Sequence, residues 1–105
     1  MHTGHYAGAT SEGEPVSFDV TDDGVTNVIA FLDGAVISIS QRFTVDGEGW
    51  WGGAASGRRV RTRIRGQLGP TGAEGVLEAE IGHNGSSHTA GPVSWRARRI
   101  EGIAY

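Results

Sequence analysis

The chain has 105 residues, of which 37% are hydrophobic, with a formal net charge of -3 and no cysteine. That length suits one domain with one core, while the negative charge disfavours general attraction to nucleic acid or anionic lipid. The missing cysteines exclude a disulfide framework and thiol chemistry, and 18 glycines without a period or low-complexity tract predict many tight turns.

Met1-His2-Thr3-Gly4 lacks the pattern of a signal peptide, and no apolar stretch approaches the roughly 20 residues of a membrane-spanning helix. Alternation with a period of two then dominates. Val16, Phe18 and Val20 alternate with Ser17, Asp19 and Thr21, and Asp22-Asp23-Gly24 makes a turn. Val25 to Leu32 is apolar on both faces from Val28 onward, which predicts a central or covered strand. Asp33-Gly34 is the strongest hairpin signal in the chain. Ala35, Ile37, Ile39, Phe43 and Val45 share the next face, broken only by Gln41, before the turn Asp46-Gly47-Glu48-Gly49.

Trp50-Trp51 follows, set in Gly49-Trp50-Trp51-Gly52-Gly53-Ala54-Ala55-Ser56-Gly57, and then Arg58, Arg59, Arg61, Arg63 and Arg65. From Val60 to Gly66 the arginines alternate with Val60, Thr62 and Ile64, which predicts a strand with one charged face. Gly69-Pro70-Thr71-Gly72 is a turn. Ala73 to Ile81 has apolar positions that a helix would also satisfy, but Gly75 and the alternation of Leu77, Ala79 and Ile81 with Glu78 and Glu80 favour a strand. Gly82 to Ser87 reads as a loop, and Pro92 to Ile100 as the last strand, with Val93, Trp95 and Ala97 on its core face. About seven to eight short strands in one domain, residues 1–105, make an all-β antiparallel sandwich or small barrel.

The charge is unevenly spread. All nine basic residues are arginine, eight of them after residue 57, while six of the twelve acids precede residue 34. Arg61, Arg63 and Arg65 are expected to face solvent, with Val60, Ile64 and Leu68 in the core, because no helix is predicted that would cover an apolar outer layer. Glu78 and Glu80 face outward on the following strand, and Arg96 and Arg98 on the last. Cross-strand pairs worth about 0.2–1 kcal/mol each explain the ladder structurally, yet five arginines facing two glutamates leave a patch that fits an acidic partner.

If the strand phase of Phe43 and Val45 carries through, Trp51 points inward and Trp50 outward. One reading is a core and a rim tryptophan; the other is an aromatic platform on a flexible glycine loop, able to stack on sugars, peptides or flat ligands. His83 and His88 lie in a Gly/Ser/Asn segment without a cysteine or carboxylate at ligand spacing, so no metal is expected. No nucleophile elbow, phosphate loop, dinucleotide fingerprint or acid/base pair is present, so neither a cofactor nor a catalytic residue is nominated.

Gly4-His5-Tyr6-Ala7-Gly8-Ala9-Thr10 through Gly13-Glu14-Pro15-Val16-Ser17-Phe18-Asp19-Val20, with Ala73-Glu74-Gly75-Val76-Leu77 and Gly91-Pro92-Val93-Ser94-Trp95-Arg96-Ala97-Arg98-Arg99, resembles small all-β domains of actinobacterial, often secreted, proteins. The resemblance covers the terminal strands, about half of the chain. It implies an all-β fold and an extracellular or cell-surface setting, whereas the absence of cysteine and of a signal pattern equally suits the cytoplasm. The matched residues are turn and core types, so it implies no catalytic residue.

The leading expectation is a non-catalytic binding module that engages a protein or glycan partner through Trp50, Trp51, Arg58, Arg59, Arg61 and Arg63. An alternative is a small barrel that binds a hydrophobic small molecule, as a cyclase or isomerase of a biosynthetic pathway would, and needs a cavity of at least about 300 Å³. A third is an assembly or adaptor subunit that forms a homo-oligomer through Val28–Leu32. Nucleic acid and membrane are not expected partners.

Overall fold

A computed structural model describes residues 3–57, 60–70, 72–83 and 85–100, apart from the side chain of His83. Its strands are β1 (Gly4–Thr10), β2 (Pro15–Thr21), β3 (Gly24–Leu32), β4 (Ala35–Ile39), β5 (Trp50–Gly57), β6 (Val60–Leu68), β7 (Gly72–His83) and β8 (Ser86–Arg99). They form one sheet in the order β4-β3-β2-β1-β8-β7-β6-β5, antiparallel throughout, that curls into a nearly closed barrel. Of the two architectures predicted, this is the barrel. Because β1 lies between β2 and β8, the first and last strands stitch the two halves of the sheet together.

Local chemistry explains the turns. Asp33 (φ 53°) and Gly34 (φ 78°) both occupy the left-handed region, as a two-residue hairpin of primed type requires. The Glu14 carboxylate accepts from both of their backbone N–H groups, at 2.9 and 3.2 Å, and so ties this hairpin to the β1–β2 turn. In β3 the residues Val25 and Val28 are both fully buried although three apart. Asn27, with φ 53°, and a register shift opposite Ser17 and Asp19 absorb the extra residue.

Three boundaries differ from expectation. β4 ends at Ile39, and the chain rejoins the sheet only where Phe43 and Val25 exchange backbone hydrogen bonds of 2.8 and 2.9 Å. β6 runs on to Leu68. The segment read as a loop at Gly82–Ser87 is a hairpin instead: β7 reaches His83 and β8 starts at Ser86, paired through Ile81–His88 and Gly82–Ser87. Its side chains carry no apolar alternation, so the ladder alone extends the strands there. The Ala73–Ile81 segment is strand, as its alternation predicts.

Inside the barrel the aromatic rings meet. Phe18 is the hub, 5.2 Å from Tyr6, 5.1 Å from Trp51 and 5.6 Å from Trp95 by ring centroids. Trp51 and Trp95 lie 5.7 Å apart, and Phe43 reaches Trp51 at 5.9 Å across the seam between β4 and β5. The register shows how the indoles fit: Trp51 pairs with Gly66, Gly66 with Gly75 and Gly75 with Trp95. Two large residues thus flank two that have no side chain, and the rings fold over the glycines to touch. Neither buried indole N–H has a hydrogen-bond partner among the described residues, a cost of about 1–3 kcal/mol each that the packing offsets.

On the outer face of β1–β3, Asp19 accepts from the Asn27 amide at 2.9 Å and meets His5 Nδ1 at 2.6 Å. The Asn27 hydrogen bond, then that from His5, holds the Asp19 carboxyl below its ordinary value. Its stabilising contribution is therefore present above the unfolded-state value near about 4 and is lost as pH falls through the depressed folded value. We expect Asp19→Asn to lower the urea midpoint most near neutral pH, with the difference from wild type shrinking on acidification. A difference that grew toward acid would reverse the sign of this assignment.

Candidate binding groove at the open edge of the sheet

The outer faces of β5 to β8 carry the chain's polar and aromatic candidates. Arg61, Arg63 and Arg65 all point to solvent from β6, with Thr62 and Ile64 buried behind them and Val60 and Leu68 packed against the core. The predicted solvent-facing arginine strand is what the structure shows. Arg63 faces Glu78 at 3.8 Å and Arg96 faces Glu74 at 3.6 Å, with Glu78 half-buried and the other three well exposed, so each pair contributes about 0–1 kcal/mol. Arg61 and Glu80 are register partners, but no ion pair joins them among the described residues. Five arginines (Arg61, Arg63, Arg65, Arg96 and Arg98) therefore stand against three glutamates (Glu74, Glu78 and Glu80), an excess of two positive charges on this face.

The two tryptophans separate. Consecutive residues of a strand face opposite sides, so Trp51 enters the core at 4% exposure while Trp50 turns outward and stays half-buried. Trp51 therefore presents no ring to a partner, and the paired aromatic platform is replaced by Trp50 alone. Nor is its setting a flexible loop: all eight residues Trp50–Gly57 pair with β6, from Trp50–Gln67 to Gly57–Val60. Arg58 and Arg59, also expected at the site, lie outside the described residues.

Trp50 is held from both sides. Its backbone N–H donates to Asp46 Oδ1 at 2.9 Å, and its carbonyl accepts from the Asp46 N–H at 2.9 Å. Over its ring lies the Arg65 guanidinium, 4.6 Å from the centroid, a cation–π contact worth about 0.5–1 kcal/mol at an exposed site. Next to this pair a groove of ≈ 870 Å³, open to solvent, crosses the outer face from Thr44 over Gly52 and Ala54 to Val76, Glu78 and Pro92. Val76 is 48% exposed, which gives the far wall an apolar patch beside Glu78. Arg65, Val76, Glu78 and Pro92 were not among the binding residues expected from sequence. The signal for Arg65 was present, since it sits diagonally across from Trp50 once the β5–β6 register is known.

A second, more polar depression lies along β1, β8 and β7, with Gln67, Glu74, Arg96 and Arg98 around it. Among the described residues it lacks an outward aromatic side chain. The doubly apolar Val28–Leu32 stretch resolves into buried Val28, Ala30 and Leu32, with Ile29 (42% exposed) outside and diagonal to Val36 (58%), whose register partner is the half-buried Phe31. Elsewhere, His88 Nε2 meets Asp33 Oδ2 at 3.0 Å, and among the described residues no three histidines or carboxylates converge as a metal site would require.

Fold and groove together define a small antiparallel barrel with an interior packed by aromatic rings and an open groove on its outer face. Compared with known protein families, with curated proteins and with solved structures, the chain finds no match.

Proposed function

We propose that the protein is a non-catalytic binding module whose groove engages a protein partner, with Trp50 as the anchor and Arg63 and Arg65 as its charged rim. The observation that carries this reading is Trp50, fixed at the mouth of an open groove beneath Arg65. Tryptophan and arginine dominate the energetics of protein interfaces because they bring large area, low flexibility and directional hydrogen bonds. Among the described residues the polar side chains lining the groove are Thr44, Arg63, Arg65 and Glu78, and the rest of the lining is aromatic, apolar or glycine, a balance that suits a peptide more than a hydroxyl-rich sugar. The alternative of an enclosed hydrophobic ligand requires interior space, and the described interior is occupied by Tyr6, Phe18, Trp51 and Trp95.

The test is a selection of displayed peptides and an array of glycans against the folded protein, followed by calorimetry with variants. Trp50→Ala is expected to weaken selected peptide ligands by about thirtyfold, the size of an interface hot spot, while leaving the near-UV circular dichroism of the buried aromatic cluster intact. Peptide ligands that bind Trp50→Ala as tightly as wild type would remove the groove from the interaction. Binders found only among glycans would overturn the choice of a protein partner.

A further inference from the structure

We infer that β5 is a docking edge for an extended acidic segment, which adds to the sheet as a further strand; this rests on the binding-module reading and names the partner's chemistry. Asp46 and Trp50 pair across the turn that leads into β5, and beyond them no backbone hydrogen bond joins β5 to the opposite end of the sheet among the described residues, so the edge of β5 carries no partner strand there. Backbone direction alternates along a strand. Gly49 bonds across to Leu68 on the β6 side, and both polar groups of Trp50 go to Asp46 on the other side. By the same alternation the N–H and C=O groups of Gly52, Ala54 and Ser56 point out of the sheet. No hydrogen bond to them is found among the described residues.

An exposed edge of this kind is normally blocked by a charge, a proline or a bulge. β5 has none of them: its residues are uncharged, it lacks proline, and its register with β6 is continuous over all eight pairs. The charge comes from the neighbouring strand. Gly52 is paired with Arg65, Ala54 with Arg63 and Ser56 with Arg61. The three residues whose backbone faces the open edge are thus the three that stand directly opposite the arginines, and each is too small to cover one. Strands lie about 4.8 Å apart, so a docked strand would run roughly 10 Å from β6, where an extended arginine and a glutamate meet over β5. Carboxylates at alternate positions of the partner would face Arg65, Arg63 and Arg61 in turn, while its backbone bonds to Gly52, Ala54 and Ser56. Main-chain pairing provides the affinity and the arginine row the selectivity.

The probes are a capped synthetic peptide alternating glutamate with threonine and its lysine-for-glutamate counterpart. Binding is followed by amide NMR and hydrogen exchange of the whole protein. The glutamate peptide is expected to slow exchange of the Gly52, Ala54 and Ser56 amides by about tenfold at saturation, and the lysine peptide to leave them unchanged. Arg61→Gln and Arg63→Gln should each weaken the glutamate peptide by about fivefold, and added salt should weaken it further. Ala54→Pro removes an outward N–H that β6 does not use, a change tolerated on an edge strand, and should abolish binding. If that variant does not fold, the exchange measurement on the wild type decides alone. Equal binding of the lysine peptide overturns the inference. So does glutamate-peptide binding that shifts the Trp50 indole signal without protecting the three edge amides, an outcome that leaves the groove reading standing. Failure of the glutamate peptide to bind, while selected ligands still depend on Trp50, likewise removes the edge and keeps the groove. Edge protection that survives Trp50→Ala in full supports the edge and removes Trp50 as anchor.

Discussion

A single methyl group added at Gly66 or Gly75 is expected to destabilise the protein more than most truncations would. A Cβ at Gly66 would stand 2.6 Å and 2.7 Å from two atoms of the Trp95 ring and 2.9 Å from Trp51. Both rings are buried and wedged against Phe18, so neither moves freely. Overpacking of this kind costs about 1–3 kcal/mol, and we place Gly66→Ala at the upper end. At Gly75 the obstacle is the Arg65 carbonyl oxygen, 1.9 Å away, together with Trp95 at 2.7 Å. The backbone of the β6–β7 ladder must shift there, so a loss above about 3 kcal/mol is expected, a large share of the 5–15 kcal/mol typical of a domain. Urea unfolding followed by tryptophan fluorescence measures both. Gly47→Ala, where a Cβ meets nothing within 4 Å, is the control and should change stability by less than about 0.5 kcal/mol. If Gly66→Ala were as neutral as the control, the Trp–Gly–Gly–Trp row would not be how the indoles pack. Adding Trp51→Phe to Gly66→Ala should restore part of the loss, because the two sites share one volume.

Phe18→Ala carries the second large effect. Phe18 is completely buried and its ring touches those of Tyr6, Trp51 and Trp95, so its removal leaves a void bounded by three rigid rings. Such a site collapses poorly, and a loss of about 4 kcal/mol is expected, toward the top of the range for phenylalanine truncation. Phe18→Leu, which keeps much of the volume, should cost about half as much. The near-UV circular dichroism of the aromatic cluster should weaken in Phe18→Ala even under conditions where the sheet persists. A cost below about 1 kcal/mol would mean that the rings reorganise around the gap.

These two results concern the interior, where sequence reasoning reached the right residues without their arrangement. Val16, Phe18, Val20, Leu77, Val93 and Trp95 were legible as core because a strand exposes alternate residues to one face, and all of them are buried. The outward arginines of β6 were legible for the same reason. The hairpin at Asp33-Gly34 was legible because both positions need positive φ. Where alternation was interrupted, legibility ended. The Gly/Ser/His segment at residues 82–88 has no apolar period, and only its ladder with β7 shows it to be strand. The glycine-rich run after Trp51 resembles a loop in composition, yet cross-strand pairing holds it extended.

Alternation along single strands is a local property, so the sequence alone determined an all-β domain, its turns and most of its core face, while the opposite orientations of Trp50 and Trp51 followed only once pairing with β6 carried the strand phase through the turn. Which strands become neighbours depends on closure between residues far apart in the chain, and only the tertiary structure decided that. Closure put Gly66 and Gly75 between two indoles, set Arg65 over Trp50, and left β5 at an edge with an arginine row beside it. None of these juxtapositions has a sequence period, because each is a matter of register between strands rather than of pattern within one.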